Sequence, residues 1–163
     1  MQKNEKIIKA RDTLLDEARA LIISVSDDDA KPDIGSSPFW RASNGTIYIY
    51  TSELSSHVRS LLKGNEARFL FIEDEEKSQT IWARVRIKFE ANCTVIERKT
   101  PQFEDIMSHM KPHFGATMDL ISQFQDFHLI EICPTKGVLV TGFASAYEVS
   151  GPHFTILEKL SKS

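Results

Sequence analysis

The sequence predicts a mainly β domain with helices, an α+β chain whose strands close into an antiparallel barrel capped by helices. Three observations lead there. Short runs of alternating or continuous apolar residues are joined by turn signals, of which Ser43-Asn44-Gly45 is the clearest. Helical periodicity is confined to a few short stretches. No strand–helix–strand alternation runs through the chain, so a parallel sheet is disfavoured.

Residues 3–18 place Ile7, Ile8, Leu14, Leu15 and Ala18 at helical spacing among charged residues, and read as an amphipathic helix. Residues 21–26 form a strand ended by Asp27-Asp28-Asp29, and 32–40 return as a second one. The triple Asp lacks the Gly and distal Glu of a calcium loop and reads as a solvated hairpin turn. A strand over 46–51 leads to a short helix closed by Gly64-Asn65, then to a strand over 68–72 and the acidic loop 73–76. Residues 80–98 read as one long strand. Thr100-Pro101 then opens a helix with a hydroxyl cap and a proline in its first turn. Pro112 is expected to bend or end that helix, and 116–124 continue it. Residues 127–132 and 138–141 read as strands about a turn at 134–137, with Gly142 a candidate bulge. Residues 154–160 suggest a short final helix and Ser161-Lys162-Ser163 a frayed end.

With 163 residues and 18.5 kDa, a single domain over 1–163 is expected, with an N-terminal helix over 1–18 and a flexible tail over 152–163. The net charge of −3 excludes nucleic-acid binding by the average surface. Cys93 and Cys133 lie in apolar runs with no metal-type spacing, and read as buried free thiols. No secretory signal or membrane-length apolar window is present, which predicts a cytoplasmic protein. His109 and His113 are four apart, but Pro112 between them and the missing Glu argue against a metal. Phosphate loops of the GxGxxG and GxxxxGK[ST] types, a GxSxG elbow and HExxH are all absent, so chemistry would fall to a bound cofactor.

Two features point to an anionic ligand. Ser55-Ser56-His57-Val58-Arg59 places hydroxyls and two side chains able to carry positive charge at a helix start, where free N–H groups and the dipole favour an anion. In the strand after Thr80, Trp82, Arg84, Arg86 and Lys88 share one face, while Ala83, Val85, Ile87 and Phe89 share the other. That basic stripe is either a solvated barrel exterior matched by the acids at 73–76 or an anion-binding stripe in a groove between subunits.

Tyr50-Thr51-Ser52 followed by Ser55 to Leu61, together with Ile72-Glu73-Asp74-Glu75, Ala83 to Ile87, Leu120 to Phe127 and Gly142 to Gly151, resembles the pyridoxamine-phosphate-oxidase-like, FMN-binding split barrels. The resemblance runs from about residue 18 to 151 and is strongest to the haem-utilisation branch, the HugZ/HutZ type. It implies a split β-barrel and a homodimer with ligand grooves along the shared interface. In flavin-binding relatives the FMN phosphate would fall to Thr51, Ser52, Ser56, His57, Arg59 and Arg84. In the haem branch the resemblance implies a haem oxygenase whose iron is held by a tail His, tuned by an Asp of the other subunit. Asp126 matches that Asp, and Arg84 or Arg86 would pair with propionates. Lys159-Leu160-Ser161-Lys162 carries no His where the family has its ligand, so His153 is the candidate for haem iron. Ser55-Ser56-His57 likewise replaces the Ser-Arg-Lys of flavin oxidases. The expectation is a haem-binding protein, with an FMN-dependent oxidoreductase or a noncatalytic binding module as alternatives, and with no membrane or nucleic-acid partner.

Overall fold

A computed structural model describes residues 2–161; Lys162 and Ser163, most of the expected frayed end, lie outside the described residues. Helix α1 (Gln2–Glu17) leads to strands β1 (Ala20–Ser26), β2 (Pro32–Pro38), β3 (Trp40–Arg41) and β4 (Ile47–Ser52). Helix α2 (Ser56–Leu62) and β5 (Ala67–Ile72) follow. Two 3₁₀ turns (Glu75–Lys77 and Ile81–Ala83) precede β6 (Arg86–Ile96), and α3 (Pro101–Phe114), α4 (Ala116–Ile121), β7 (Phe127–Gly142), β8 (Ser145–Ser150) and β9 (Thr155–Lys159) complete the chain.

The nine strands form one antiparallel sheet in the order β2-β1-β5-β6-β7-β4-β3, with β8 and β9 branching from β7. The branching makes the barrel a split one. The first half of β7 pairs with β4, from Phe127 against Ser52 to Ile132 against Ile47, and its second half pairs with β8. Alternation of side chains divides β4 between two cores: Ile47 and Ile49 enter the barrel, while Tyr48 and Tyr50 face α3 and α4. The barrel core includes Phe69, Phe71, Phe89 and Phe154, rings packed 5.0 to 6.3 Å apart in stacked and edge-on pairs. Each such fully buried ring is worth on the order of 2 kcal/mol of apolar transfer.

Several local expectations hold. Gly45 and Gly64 take the positive φ that the turn after β3 and the end of α2 require. Thr100 caps α3 by accepting from the Phe103 amide, and the register shifts beside Gly142.

Others are corrected. Residues 80–98 are not one strand: β6 starts at Arg86, and Ile81–Ala83 is a 3₁₀ turn. Arg84 donates to the Glu73 carbonyl, which folds the approach back onto the 73–76 loop. Residues 134–137 are no turn, because β7 runs through Pro134, which stands opposite Ala91 where the β6 register shifts and a missing N–H is tolerated. Helix α3 continues through Pro112 to Phe114. The end of the chain is neither a helix nor a loose tail over 155–159, since β9 pairs with β8 and Phe154 is 1% exposed in the barrel core. Cys93 is exposed and Cys133 half-buried, both as free thiols. No helix of the described residues is long and apolar enough to cross a membrane.

Candidate functional site

The β4–β7 pair ends at a polar corner. The Ser52 hydroxyl donates to the Asp126 carboxylate, the Glu53 amide donates to the Asp126 carbonyl at 2.8 Å, and the Leu54 amide donates to the Ser52 oxygen at 3.1 Å. Asp126 is therefore held by side chain and backbone at the start of β7. Thr51 pairs with His128 in the same register, and the His128 ring nitrogen lies 2.9 Å from the Glu53 carboxylate. Beneath the corner Arg98, the third residue after Val95 on the way out of β6, binds the turn that carries Asp126.

The helix start read as an anion seat is answered by its own neighbours. Ser55 makes no side-chain cap, and α2 is seven residues long. The Ser56 hydroxyl donates to the Asp33 carboxylate at 2.6 Å, and the Arg59 guanidinium donates to the carbonyls of Glu53 and Leu54 at 2.8 and 3.0 Å. The Ser56 bond, then the Ile34 amide bond, hold the Asp33 carboxyl below the usual aspartate range, with the Arg59 charge adding to the effect. His57 is buried against Gly35 with its Nε2 unpartnered, not facing solvent. A phosphate dianion arriving here would meet a carboxylate, a committed guanidinium and a covered imidazole, and these residues do not fit it.

Arg84 is likewise spent locally, on the Glu73 carbonyl and on Glu75 at 3.5 Å. Arg86 donates to the Arg84 carbonyl at 3.0 Å and, with Lys88, lies on the outer sheet face, while Ile87 and Phe89 point into the core. The alternation read from the sequence thus holds from Arg86 onward. Arg86 stands between Ile72 and Val140, Lys88 between Leu70 and Val138. Beside Lys88 lies a groove of about 410 Å³ with Val138, Val149 and Leu157 in its lining and Arg68, Lys88, Lys136, Glu90 and Glu148 as its charged groups; Arg68 and Lys136 both pair with Glu90, at 3.1 and 3.6 Å. The apolar lining suits a flat, apolar group, with Lys88 the cation of the groove that is not drawn to Glu90.

These residues are not one cluster within a chain. Arg86 pairs with Val140, thirteen residues along β7 from Phe127, which is about 40 Å of strand. His153 is exposed in the loop before β9, which Arg41 fastens by donating to the Pro152 carbonyl at 3.1 Å and which lies against Gly45. That places it beside the start of β4, about 20 Å of strand from Ser52 and Asp126. Thr51, Ser52, Ser56, Arg59 and Asp126 share one end; Arg84, Arg86 and His153 do not reach it.

No family model matches the chain. Heme oxygenase HutZ of Vibrio cholerae is 31% identical over 135 residues, which span 83% of this chain and 76% of HutZ. The chain belongs to the HutZ-type haem-utilisation family. The crystal structure of HutZ, as the heme storage protein of Vibrio cholerae, superposes with a TM-score of 0.74 at 25% identity, covering 80% of this chain and 92% of that one. ChuZ of Campylobacter jejuni shares the fold with a TM-score of 0.79 at 24% identity, over 93% of this chain and 62% of ChuZ. So does a pyridoxinephosphate-oxidase-family protein of Clostridium acetobutylicum, with a TM-score of 0.62 at 9% identity, over 90% and 95%. The family and the split-barrel fold expected from the sequence motifs are both found.

Sequence reasoning missed Arg98, the His128–Glu53 pair and the role of Asp33. The partners are 23 to 75 residues apart in the chain, and no local spacing announces them.

Proposed function

We propose that this chain is a haem-binding protein that degrades haem as an oxygenase, with haem seated in a groove between two copies of the chain. The observation that carries the reading is the relation to HutZ, heme oxygenase by name, over most of both chains. The structure supplies two halves that suit it. One end presents a carboxylate, Asp126, oriented by Ser52. The other offers Lys88 in the lining of a groove with an apolar floor, and Arg86 two residues before it on the same sheet face, a match for a flat macrocycle with carboxylate side chains.

A homodimer accounts for the separation of these halves along β7. Asn92 to Val95 of β6 are exposed, as are Leu54 and Phe124 near the Asp126 corner, and together they give a second copy a face to cover. In this reading Asp126 of one copy accepts a hydrogen bond from the imidazole that binds iron, and His153 provides that imidazole across the subunit boundary. Bound haem supplies the iron at which O₂ is activated. Arg86 and Lys88 would pair with the carboxylates of the bound group, and Asp126 would accept a hydrogen bond from the imidazole that binds its iron. The reading places the protein in the cytoplasm.

FMN draws support from the pyridoxamine-phosphate-oxidase-like neighbours alone. The Asp33–Ser56 bond, with Arg59 turned onto backbone carbonyls, weighs against its phosphate and favours haem. A hemin complex that bleaches under ascorbate and oxygen while releasing chelatable iron supports the oxygenase. Stable binding without bleaching makes the protein a storage module instead.

A further inference from the structure

Arg98, two residues past the end of β6, is half-buried, and its charge is met by carbonyls, a phenol and ring faces. Its guanidinium donates to the Tyr50 hydroxyl at 2.8 Å, the Phe127 carbonyl at 2.9 Å, the Phe124 carbonyl at 2.5 Å and the Ser122 carbonyl at 3.4 Å. The guanidinium carbon also stands 5.8 Å from the Tyr50 ring centre and 5.7 Å from that of Phe103. Tyr50 completes the arrangement by donating to the same Ser122 carbonyl at 3.4 Å.

These acceptors bracket Asp126. Three carbonyls, two before Asp126 and one after it, converge on a single side chain from the link between β6 and α3. Nη2 faces the Phe124 and Phe127 carbonyls and the Tyr50 hydroxyl while Nη1 reaches the Ser122 carbonyl, so two nitrogens held in one plane span the turn, where a lysine ammonium would present a single compact charge. The turn so fixed sets where the Asp126 backbone lies, and that backbone accepts from the Glu53 amide while Ser52 takes the carboxylate. One carboxylate oxygen is thereby committed to Ser52, and the other is aimed by the turn.

We propose that Arg98 is a positioning residue for Asp126, fixing the 122–127 turn so that the carboxylate is presented to an N–H-bearing or cationic group of the bound ligand assembly. This rests on the proposed role of Asp126 toward bound haem, and the test separates the two. Arg98→Met and Arg98→Lys are compared with Asp126→Asn and with the Arg98→Met/Asp126→Asn double variant, in full-length protein.

In ligand-free protein, amide exchange at Glu53, whose N–H bonds to the Asp126 carbonyl, rises about tenfold or more in both Arg98 variants, while the amides of Ile22 to Val25 in β1 keep their protection. In hemin titrations Arg98→Met weakens binding by about as much as Asp126→Asn, and the double variant is no weaker than Asp126→Asn, because both changes act through one carboxylate. Arg98→Lys does not rescue. Should Arg98→Met fail to fold, Arg98→Lys and Tyr50→Phe carry the same comparison.

Unchanged protection at Glu53, hemin losses that add in the double variant, or full rescue by lysine would each overturn the assignment. If wild-type protein binds no hemin, the haem reading falls, and the exchange at Glu53 alone still decides whether Arg98 positions Asp126.

Discussion

The Ser56 hydroxyl donates to the Asp33 carboxylate at 2.6 Å, so the first turn of α2 is tied to β2 and not left open for a ligand. The two residues are 23 apart in sequence, and their bond joins the edge strand of the sheet to the helix that follows β4. The carboxylate is held below its ordinary pKa by this bond first and by the Ile34 amide second.

A depressed folded-state pKa means that the bond's contribution to stability is present above the ordinary aspartate value of about 3.9 and is lost as pH falls through the lower folded value. Asp28, lowered chiefly by its bond to Lys63, acts in the same sense. The urea midpoint should therefore stay level from about pH 7 to 5 and fall below about pH 4. Asp33→Asn should have a shallower acid limb, and an acid limb unchanged by the substitution would contradict the account.

Gly35 leaves the space that the His57 ring fills: a methyl group there would stand 2.2 to 2.4 Å from three ring atoms. Gly35→Ala should cost about 1–3 kcal/mol, from overpacking. At this chain length each kcal/mol lowers Tm by roughly 2–4 °C. In the Gly35→Ala/His57→Ala pair the two losses should not add, because the truncated ring vacates the space. Additive losses in thermal melts would show that the contact is not the cause.

The barrel was legible in the sequence because its signals are local. The Ser43-Asn44-Gly45 turn, the Thr100 cap and the in–out alternation of Arg86, Ile87, Lys88 and Phe89 are each written within a few residues. The departures depend on distant partners. Nothing within residues 80–86 says that Arg84 will bind Glu73 and delay the start of β6, and nothing near Pro134 says that Ala91 across the sheet will accommodate it. Ile156-Leu157-Glu158-Lys159 suits a helix as well as a strand until the free edge of β8 chooses. At the candidate site, Asp126 was singled out through family motifs, while Arg98, which holds the turn that carries it, and Asp33, which ties the start of α2, lie outside any motif.

Phe154 tests whether the end of the chain belongs to the fold. Its ring meets Phe89 at 5.0 Å and Phe71 at 6.3 Å, edge-on to both. Phe154→Ala should cost about 3–5 kcal/mol, as for other buried aromatic truncations, and should lower Tm by roughly 10 °C. A melting temperature within a degree or two of wild type would return residues 152–163 to a loose tail.

Cys93 is exposed on β6, yet desolvation around its sulfur, with Cys133 nearby, pushes the thiol up to about 11. Only the thiolate reacts, so iodoacetamide at neutral pH should label Cys93 roughly three-hundredfold more slowly than an ordinary cysteine of pKa about 8.5. Labelling at the ordinary rate, read by mass spectrometry, would show that the sulfur is solvated.

Haem binding between two copies of the chain is tested by a pair of absorbance titrations of purified protein, one with hemin and one with FMN, repeated on His153→Ala and Asp126→Asn. The account predicts saturable hemin binding with a shifted Soret band that His153→Ala abolishes and Asp126→Asn alters, and only diffuse association of FMN. Saturable FMN binding with unsaturable hemin would contradict it, and would mean that the Asp33–Ser56 bond opens to admit a phosphate.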